Sequence, residues 1–459
     1  MNVTASVSAP AVDDSQVRLD RLSELARDVL ARARAQGADQ AEVACDEDRG
    51  LEVSVRMGAV ESVESTRDRS VALTVYFGKR KGSASTADLR PESLEATVAQ
   101  ACAIARHTEE DPASGLADPE RMATDLREFD AWHPWALDAD TAVDLALACE
   151  AAGRDADPRI ANSDGATVAT GSAIGVYANS HGFLGRMRDT QHSLVCGLIA
   201  GQGDAMQRDQ WYSVALARED LETPEAVGRR AAQRVLARLD PRTLPTGTMP
   251  VLFHAEVART LIGNLVNAVA GPAQYRGASF LLGAAGQRVL PEWCAIRERP
   301  FLVRGLRSAA FDAEGVATRE SDLVRDGVLQ RYVLGSYSAR RLGLETTGNA
   351  GGVFNLEVAA GAGNTGSLDD LLRGMGSGLL VTELMGQGVN LTTGDYSRGA
   401  AGFLVEHGRI VHPVDGITIA GNLRDMLLSI EAIGDDPDPR SPTRTGSILV
   451  GRMTVAGSV

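Results

Sequence analysis

Along the run PVLFHAEVARTLIGNLVNAV, from Pro250 to Val269, the hydrophobic period changes. Val251, Leu252 and Phe253 are consecutive apolar residues, as in a strand, and they lead to His254. From Ala255 onward Val257, Leu261 and Leu265 recur every fourth position, with Ile262, Val266 and Val269 in the neighbouring rows. That stripe predicts a buried helix, ended by Gly271-Pro272. Upstream, Leu19, Leu22, Leu25, Ala26, Val29 and Leu30 predict a helix closed by Gly37. Strands are expected at residues 41–45, 51–55 and 71–77, then a helix from Pro91 carrying Leu94, Val98, Cys102 and Ile104. Asp138 is placed to cap a further helix. Strands at 167–169, 174–178 and 193–200 and a helix over 224–239 follow.

Helix, several strands, helix thus occurs twice, without strict βαβ alternation, which favours an α+β fold. Asn162-Ser163-Asp164-Gly165 and Asn179-Ser180-His181-Gly182 read as hairpin turns. The stretch DPRTLPTG, residues 240–247, has Pro and Gly and no apolar period, so it marks the main boundary. Beyond the helix after His254, short apolar runs at 328–333, 379–381, 402–405 and 417–420 are separated by glycines. That spacing predicts a strand-rich, barrel-like domain, interrupted by short helices at 336–342 and 368–375. The expected organisation is a disordered tail over 1–16, an N-terminal α+β domain over 17–245 with repeats at about 17–125 and 126–245, and a C-terminal β-rich domain over 246–459.

Composition narrows the function. A formal charge of −15 argues against a nucleic-acid partner, since phosphate binding needs a basic surface. No apolar run approaches the roughly 20 residues of a membrane span. The first residues, MNVTASVSAPAVDDSQ, have neither the basic region nor the apolar core of a signal peptide. The five cysteines, Cys45, Cys102, Cys149, Cys196 and Cys294, are scattered without metal or redox spacing. Reduced buried thiols in a cytoplasmic protein are therefore expected.

A strand that delivers a histidine to the head of a buried helix is a place where zinc peptidases keep their metal. Two ligands on one helical face must sit three to five positions apart, with a glutamate nearby as base. Here Ala255, Glu256, Val257, Ala258 and Arg259 follow His254. His254 and Glu256 are two positions apart, about 200° around a helix, and Arg259 is a permanent cation. His254 is thus expected to enter the helix as a hydrogen-bonded residue. The alternative is a metal held near His254 with further ligands such as Glu256.

Other patterns carry less. Gly361 to Gly366 spells a dinucleotide fingerprint with Glu383 downstream, but the helix that follows is short and no companion βαβ units appear; a loop is expected, with nucleotide binding the remote alternative. His407 and His412 flank a turn at Gly408 and are expected to point apart. Ser180-His181 lies in a turn signal, and no G-x-S-x-G elbow exists. The run GQGVNLTTGDYSRGAAGF is richer. Its glycines, Gly386 and Gly388 among them, permit close backbone approach, and Asp395, Tyr396, Ser397 and Arg398 lie beside them. It reads either as tight hairpins of a barrel wall or as a surface that meets an extended peptide or a partner subunit.

Long stretches also resemble a known family. They are GSYSARRLGLETTGNAGG from Gly335, GLLVTELMGQGVNLTTGDYSRGAAGF from Gly378 and GITIAGNLRDML from Gly416, with HPW at His133, NSDGA at Asn162 and ANSHGF at Ala178 upstream. Together they resemble the PmbA/TldE branch of the TldD/PmbA family over nearly the whole chain. In that family the TldD subunit carries an HExxxH helix and a distant cysteine as zinc ligands. The resemblance puts His254 at the first histidine, Ala255 at the glutamate, Arg259 at the second histidine and Thr445 near the cysteine. It implies a cytoplasmic peptidase complex that cleaves unfolded peptides and trims a modified microcin precursor. This chain would be its metal-free subunit: it would have no cofactor of its own, the zinc would lie in a TldD-like partner, and it would pair with that subunit or with itself.

Overall fold

A computed structural model describes residues 13–457, so the predicted tail over 1–16 lies largely outside the described residues. Its last two positions do not belong to a tail, because the first helix begins at Ser15. The described residues form two compact units, one of residues 13–116, 130–198 and 210–232, the other of residues 117–129, 199–209 and 233–457.

The first unit repeats one motif. Helix α1 (Ser15–Ala35), strands β1 (Gln40–Arg56), β2 (Ala59–Phe77) and β3 (Arg80–Thr86), and helix α2 (Pro91–His107) make the first copy. Helix α3 (Ala139–Arg154), strands β4 (Asn162–Asn179), β5 (Leu184–Ala200) and β6 (Gln207–Ala215), and helix α4 (Pro224–Ala237) make the second. The strands join in one sheet of order β3-β2-β1-β4-β5-β6, with β1 and β4 antiparallel at its centre. The duplicated unit expected from the sequence is present, although its last turns pass into the second unit.

Several strands differ from expectation. Residues 41–45 and 51–55 belong to one strand, because the polar run between them keeps its pairing with both neighbours. The same holds for 167–169 and 174–178, and Asn162–Gly165 opens β4 instead of turning. The polar strand β3 gave no apolar alternation, yet it fits closely against α2: a Cβ on Gly82 would lie 2.2 Å from the Ala101 carbonyl oxygen. The turn at Asn179–Gly182 is where the sequence puts it, with the Asn179 carboxamide oxygen accepting from the His181 backbone N–H at 3.1 Å. Asp138 caps α3 through the Thr141 amide at 2.8 Å. Leu22, Ala26 and Val29 of α1 pack with Val98 and Cys102 of α2 on Val43, Cys45, Leu73 and Val176 of the sheet.

In the second unit, strand β7 (Gly247–Phe253) leads into helix α5 (Ala255–Ala268) and the short α6 (Gly271–Tyr275). Strands β8 (Cys294–Glu298), β9 (Ser321–Arg325) and β10 (Val328–Leu329) precede helix α7 (Ser336–Leu342). Then come β11 (Leu356–Ala360), β12 (Thr365–Gly366), helix α8 (Leu368–Met375), β13 (Gly378–Met385), β14 (Asp395–Glu406) and β15 (Arg409–Asn422). Helix α9 (Leu423–Leu428), β16 (Ile430–Gly434), β17 (Thr443–Arg444) and β18 (Ile448–Ala456) complete it. The sheet β12-β16-β18-β15-β14-β13-β7 closes because β18 also pairs with β7, so β7, β13, β14, β15 and β18 form a barrel. The smaller sheet has the order β10-β9-β8-β11-β17. The chain is thus α+β with a barrel-like second half. Helices α7 and α8 fall where the sequence puts them, whereas the apolar run at 328–333 is a strand only at Val328–Leu329.

Helix α5 buries Val257, Leu261, Ile262 and Leu265 against Val251, Phe253, Val381, Ile419 and Val450. Fully burying one such side chain contributes about 1.5–3 kcal/mol, so this stripe fixes where α5 begins and hence where His254 stands. The fingerprint Gly361 to Gly366 lies outside any parallel βαβ unit. Its leading strand β11 runs antiparallel to β8, while β13 lies in the other sheet. The N-terminus of α8 is closed by a capping box between Ser367 and Asp370. Among the described residues, no helix is long and apolar enough to cross a membrane.

Candidate functional site

The head of α5 is assembled from three directions. The backbone N–H of His254 donates to the Val381 carbonyl at 2.9 Å, tying the end of β7 to β13. His254 is the N-cap of α5, and its Nδ1 accepts from the Glu256 amide at a long 3.5 Å. One residue on, the Ala255 amide donates to Ser447 Oγ at 3.0 Å. Ser447 is held in turn by Asp436, its hydroxyl donating to Oδ2 at 2.7 Å and its amide to Oδ1 at 2.8 Å. The segment before β18 therefore reaches the helix through a serine two positions beyond Thr445. Thr445 is 1% exposed, and its hydroxyl donates to the Gly446 carbonyl at 3.1 Å.

Burial lowers the imidazole pKa of His254 below the usual histidine value, outweighing the opposing fields of Glu256, Asp436 and Asp438. The ring is therefore neutral at pH 7, the form that can bind a metal. What surrounds it is unsuited to one. Glu256, the alternative ligand, is clasped by two guanidiniums: its Oε1 accepts from Arg234 Nη1 at 3.1 Å and from Arg440 Nη2 at 2.9 Å. Arg440 also donates to Asp438 from Nε at 2.8 Å, and Arg234 to Asp209 at 3.2 Å. Arg238 bridges Asp209, at 3.7 Å, to Glu383. The result is an alternating chain, Asp438–Arg440–Glu256–Arg234–Asp209–Arg238–Glu383.

Two fixed cations within hydrogen-bonding distance of Glu256 oppose a divalent ion there. Arg259, one turn after Ala255, is half-buried on the same helix. Among the described residues, no group of three or more His, Cys, Asp and Glu side chains is arranged to hold a metal. The donor set of this chain does not fit the zinc that the resemblance associates with the family.

Around the head of this helix the sequence singles out His254, Glu256, Arg259 and Thr445, and it marks Glu383 only as the acid downstream of the glycine fingerprint. It does not single out Arg234, Arg440, Asp436, Asp438 or Ser447, because nothing local marks them. The signal available was the run GDDPDPRS, a polar Pro-containing insertion between the apolar runs that became β16 and β18.

The Gly-rich run resolves mostly into a barrel wall. Gly386 takes a positive φ of 75°. Gly388 lies against β14, where the Ser397 amide donates to the Gly388 carbonyl at 2.6 Å, and a Cβ there would meet the Ser397 oxygen at 1.8 Å. Tyr396 faces inward, 1% exposed, with no hydrogen-bond partner for its hydroxyl. Its ring cannot meet a peptide, which corrects that part of the expectation. Asp395 and Ser397 are exposed, and Arg398 Nε donates to the Met385 carbonyl at 3.2 Å. His407 sits at the β14–β15 turn with φ 51°. His412 lies within β15, its Nδ1 at 3.0 Å from the Pro413 carbonyl.

Three family models match the chain in order. They are PmbA/TldA metallopeptidase domain 1 over residues 41–105, the central domain over 132–239 and the C-terminal domain over 246–457. Metalloprotease PmbA of Escherichia coli O157:H7 is 46% identical over 445 residues, 96% of this chain and 98% of that protein. A solved structure of a modulator of DNA gyrase from Bacteroides thetaiotaomicron has a TM-score of 0.90 at 27% identity, covering 96% of this chain and 99% of that one. TldE from Thermococcus kodakarensis shares the fold, with a TM-score of 0.81 at 21% identity over 94% of this chain and 100% of its own. The matched domains and near full-length identity show that this chain belongs to the PmbA/TldD metallopeptidase family.

Proposed function

We propose that this chain is the metal-free subunit of a TldD/TldE-type cytoplasmic peptidase complex that cleaves unfolded peptides and trims modified peptide precursors. The observation that carries the reading is the engagement of Glu256 by Arg234 and Arg440. A carboxylate held by two guanidiniums is not free to act as a ligand or as a general base. Ala255 and Arg259 fill the other helical positions where the family resemblance places zinc chemistry. Peptide hydrolysis then belongs to a TldD-like partner, and this chain shapes and completes the complex. The exposed polar positions Asp395 and Ser397, with Gly386 beside them, are the proposed contacts for an extended peptide or for the partner.

Reconstitution tests this. The purified chain should carry no stoichiometric zinc or iron after dialysis and should not cleave an unfolded peptide efficiently. Mixing with a TldD-like subunit should produce cleavage that depends on the partner's metal ligands and falls only modestly with His254→Ala. Near one equivalent of metal in this chain, lost on His254→Ala and accompanied by chelator-sensitive cleavage, would instead make it a metallopeptidase in its own right.

A further inference from the structure

One face of the first unit's sheet concentrates arginine in a chain that is otherwise strongly acidic. Strand alternation puts Glu47, Arg49 and Leu51 on the same face of β1 as Val43 and Cys45. Pairing brings Arg69 opposite Glu47, Arg67 opposite Arg49 and Ser65 opposite Leu51. On the other side β4 supplies Ser172 opposite Arg49 and Thr170 opposite Leu51. Strand β3 covers β2 only from Val71 onward, so the arginines of β2 are left uncovered at that edge.

Glu47 is buried here, at 2% exposure, and four guanidiniums compete for it. Arg21 approaches to 2.9 Å, Arg49 to 3.1 Å, Arg18 to 3.2 Å and Arg69 to 3.7 Å. Each guanidinium has five N–H donors, and one carboxylate cannot accept them all. Arg18, itself 6% exposed, keeps an Nη2 with no hydrogen-bond partner. Arg49, Arg67 and Arg69 line a cavity of about 390 Å³ with Glu47 and Asp68. Arg49 and Arg67 also line a second cavity, of about 310 Å³, that continues past Leu51, Ser65 and Thr170 to Trp135. Asp68 alternates to the other face opposite Asp48, and Glu47 and Asp14 are shared among Arg18, Arg21, Arg49 and Arg69, so the first cavity keeps a net positive charge at Arg67. A single carboxylate suits that balance, and the guanidinium fork matches its geometry. The hydroxyl-floored, Trp-ended second cavity suits the uncharged chain that carries it.

We propose that these two adjoining cavities form a binding groove for an extended peptide, with an acidic side chain of the peptide seated between Arg49, Arg67 and Arg69 and its neighbours running towards Trp135. That the ligand is a peptide rests on the peptidase role proposed above; the preference for a carboxylate rests on the groove alone. Binding is measured on the isolated full-length chain, so neither metal nor partner enters the result.

Calorimetric titration with a terminally blocked hexaglutamate peptide should show saturable binding that weakens with salt. The hexaglutamine analogue should bind at least tenfold more weakly. Arg67→Gln with Arg69→Gln changes exposed strand positions, and circular dichroism should confirm an unchanged fold; it should weaken hexaglutamate binding at least tenfold. Arg67→Lys with Arg69→Lys should recover part of the loss. No binding by the wild-type chain, equal binding of the two peptides, or equal binding by the glutamine variant would overturn the groove. Binding of inorganic phosphate that depends on Arg67 and Arg69, without binding of hexaglutamate, would overturn the peptide assignment. Failure of the reconstituted peptidase alone would leave the carboxylate result standing.

Discussion

Replacing Glu256 by Ala removes the carboxylate on which Arg234 and Arg440 converge at 3.1 and 2.9 Å. The side chains are 15% exposed for Glu256, 21% for Arg234 and 8% for Arg440, so solvent screens the loss only partly. Breaking a buried pair by removing one partner costs about 3–5 kcal/mol, because a buried charge is left uncompensated. Both arginines keep a second carboxylate here, Asp209 and Asp438, which lowers the expectation to about 2–3 kcal/mol. Loss of an acidic residue from the first turn of α5 adds about 0.3–1 kcal/mol through the helix dipole. Glu256→Ala should therefore destabilise the second unit by roughly 3 kcal/mol, and Glu256→Gln by less, since an acceptor remains. Urea unfolding, followed by a probe in the second unit, measures this. A double-mutant cycle with Arg440→Gln isolates the pair and should give a coupling of about 1–3 kcal/mol. A change below about 0.5 kcal/mol for Glu256→Ala, the scale of an ordinary surface substitution, would refute the reasoning. So would loss of a bound metal equivalent in that variant, which would make Glu256 a ligand.

Two other perturbations test the same region. His254 has a folded-state pKa below its unfolded value of about 6.5, so the unfolded chain binds the extra proton as pH falls. Its contribution to stability is thus fully present above the unfolded pKa and is lost as pH drops towards the folded one. The unfolding free energy should fall more steeply from pH 7.5 to 5 for the wild type than for His254→Gln, and equal slopes would contradict the burial argument. Gly388→Ala places a Cβ against the Ser397 carbonyl and should cost about 1–3 kcal/mol by overpacking, with faster hydrogen exchange at the Ser397 amide; an unchanged melting temperature would show that the Gly386–Asn390 loop yields freely.

The sequence alone determined the features that rest on local periodicity and local hydrogen bonding. The stripe of α5, the Asp138 cap, the turn at Asn179 and helices α7 and α8 each depend on residues within a turn or two of one another, so each is readable in place. The substitutions at Ala255, Arg259 and Thr445 are likewise matters of identity at a position. Tertiary structure decided whatever depends on a distant partner. Strand β1 runs unbroken through Asp46–Gly50 because β2 and β4 pair with it on both sides, and the polar β3 is a strand because β2 and α2 hold it. Barrel closure needs β18 to meet β7, about two hundred residues earlier in the chain. The guanidiniums around Glu256 come from α4 and from the loop before β17, and Arg18 reaches Glu47 from another element. Charge pairing leaves no periodic trace in sequence, because a guanidinium can meet a carboxylate from any element that packs nearby.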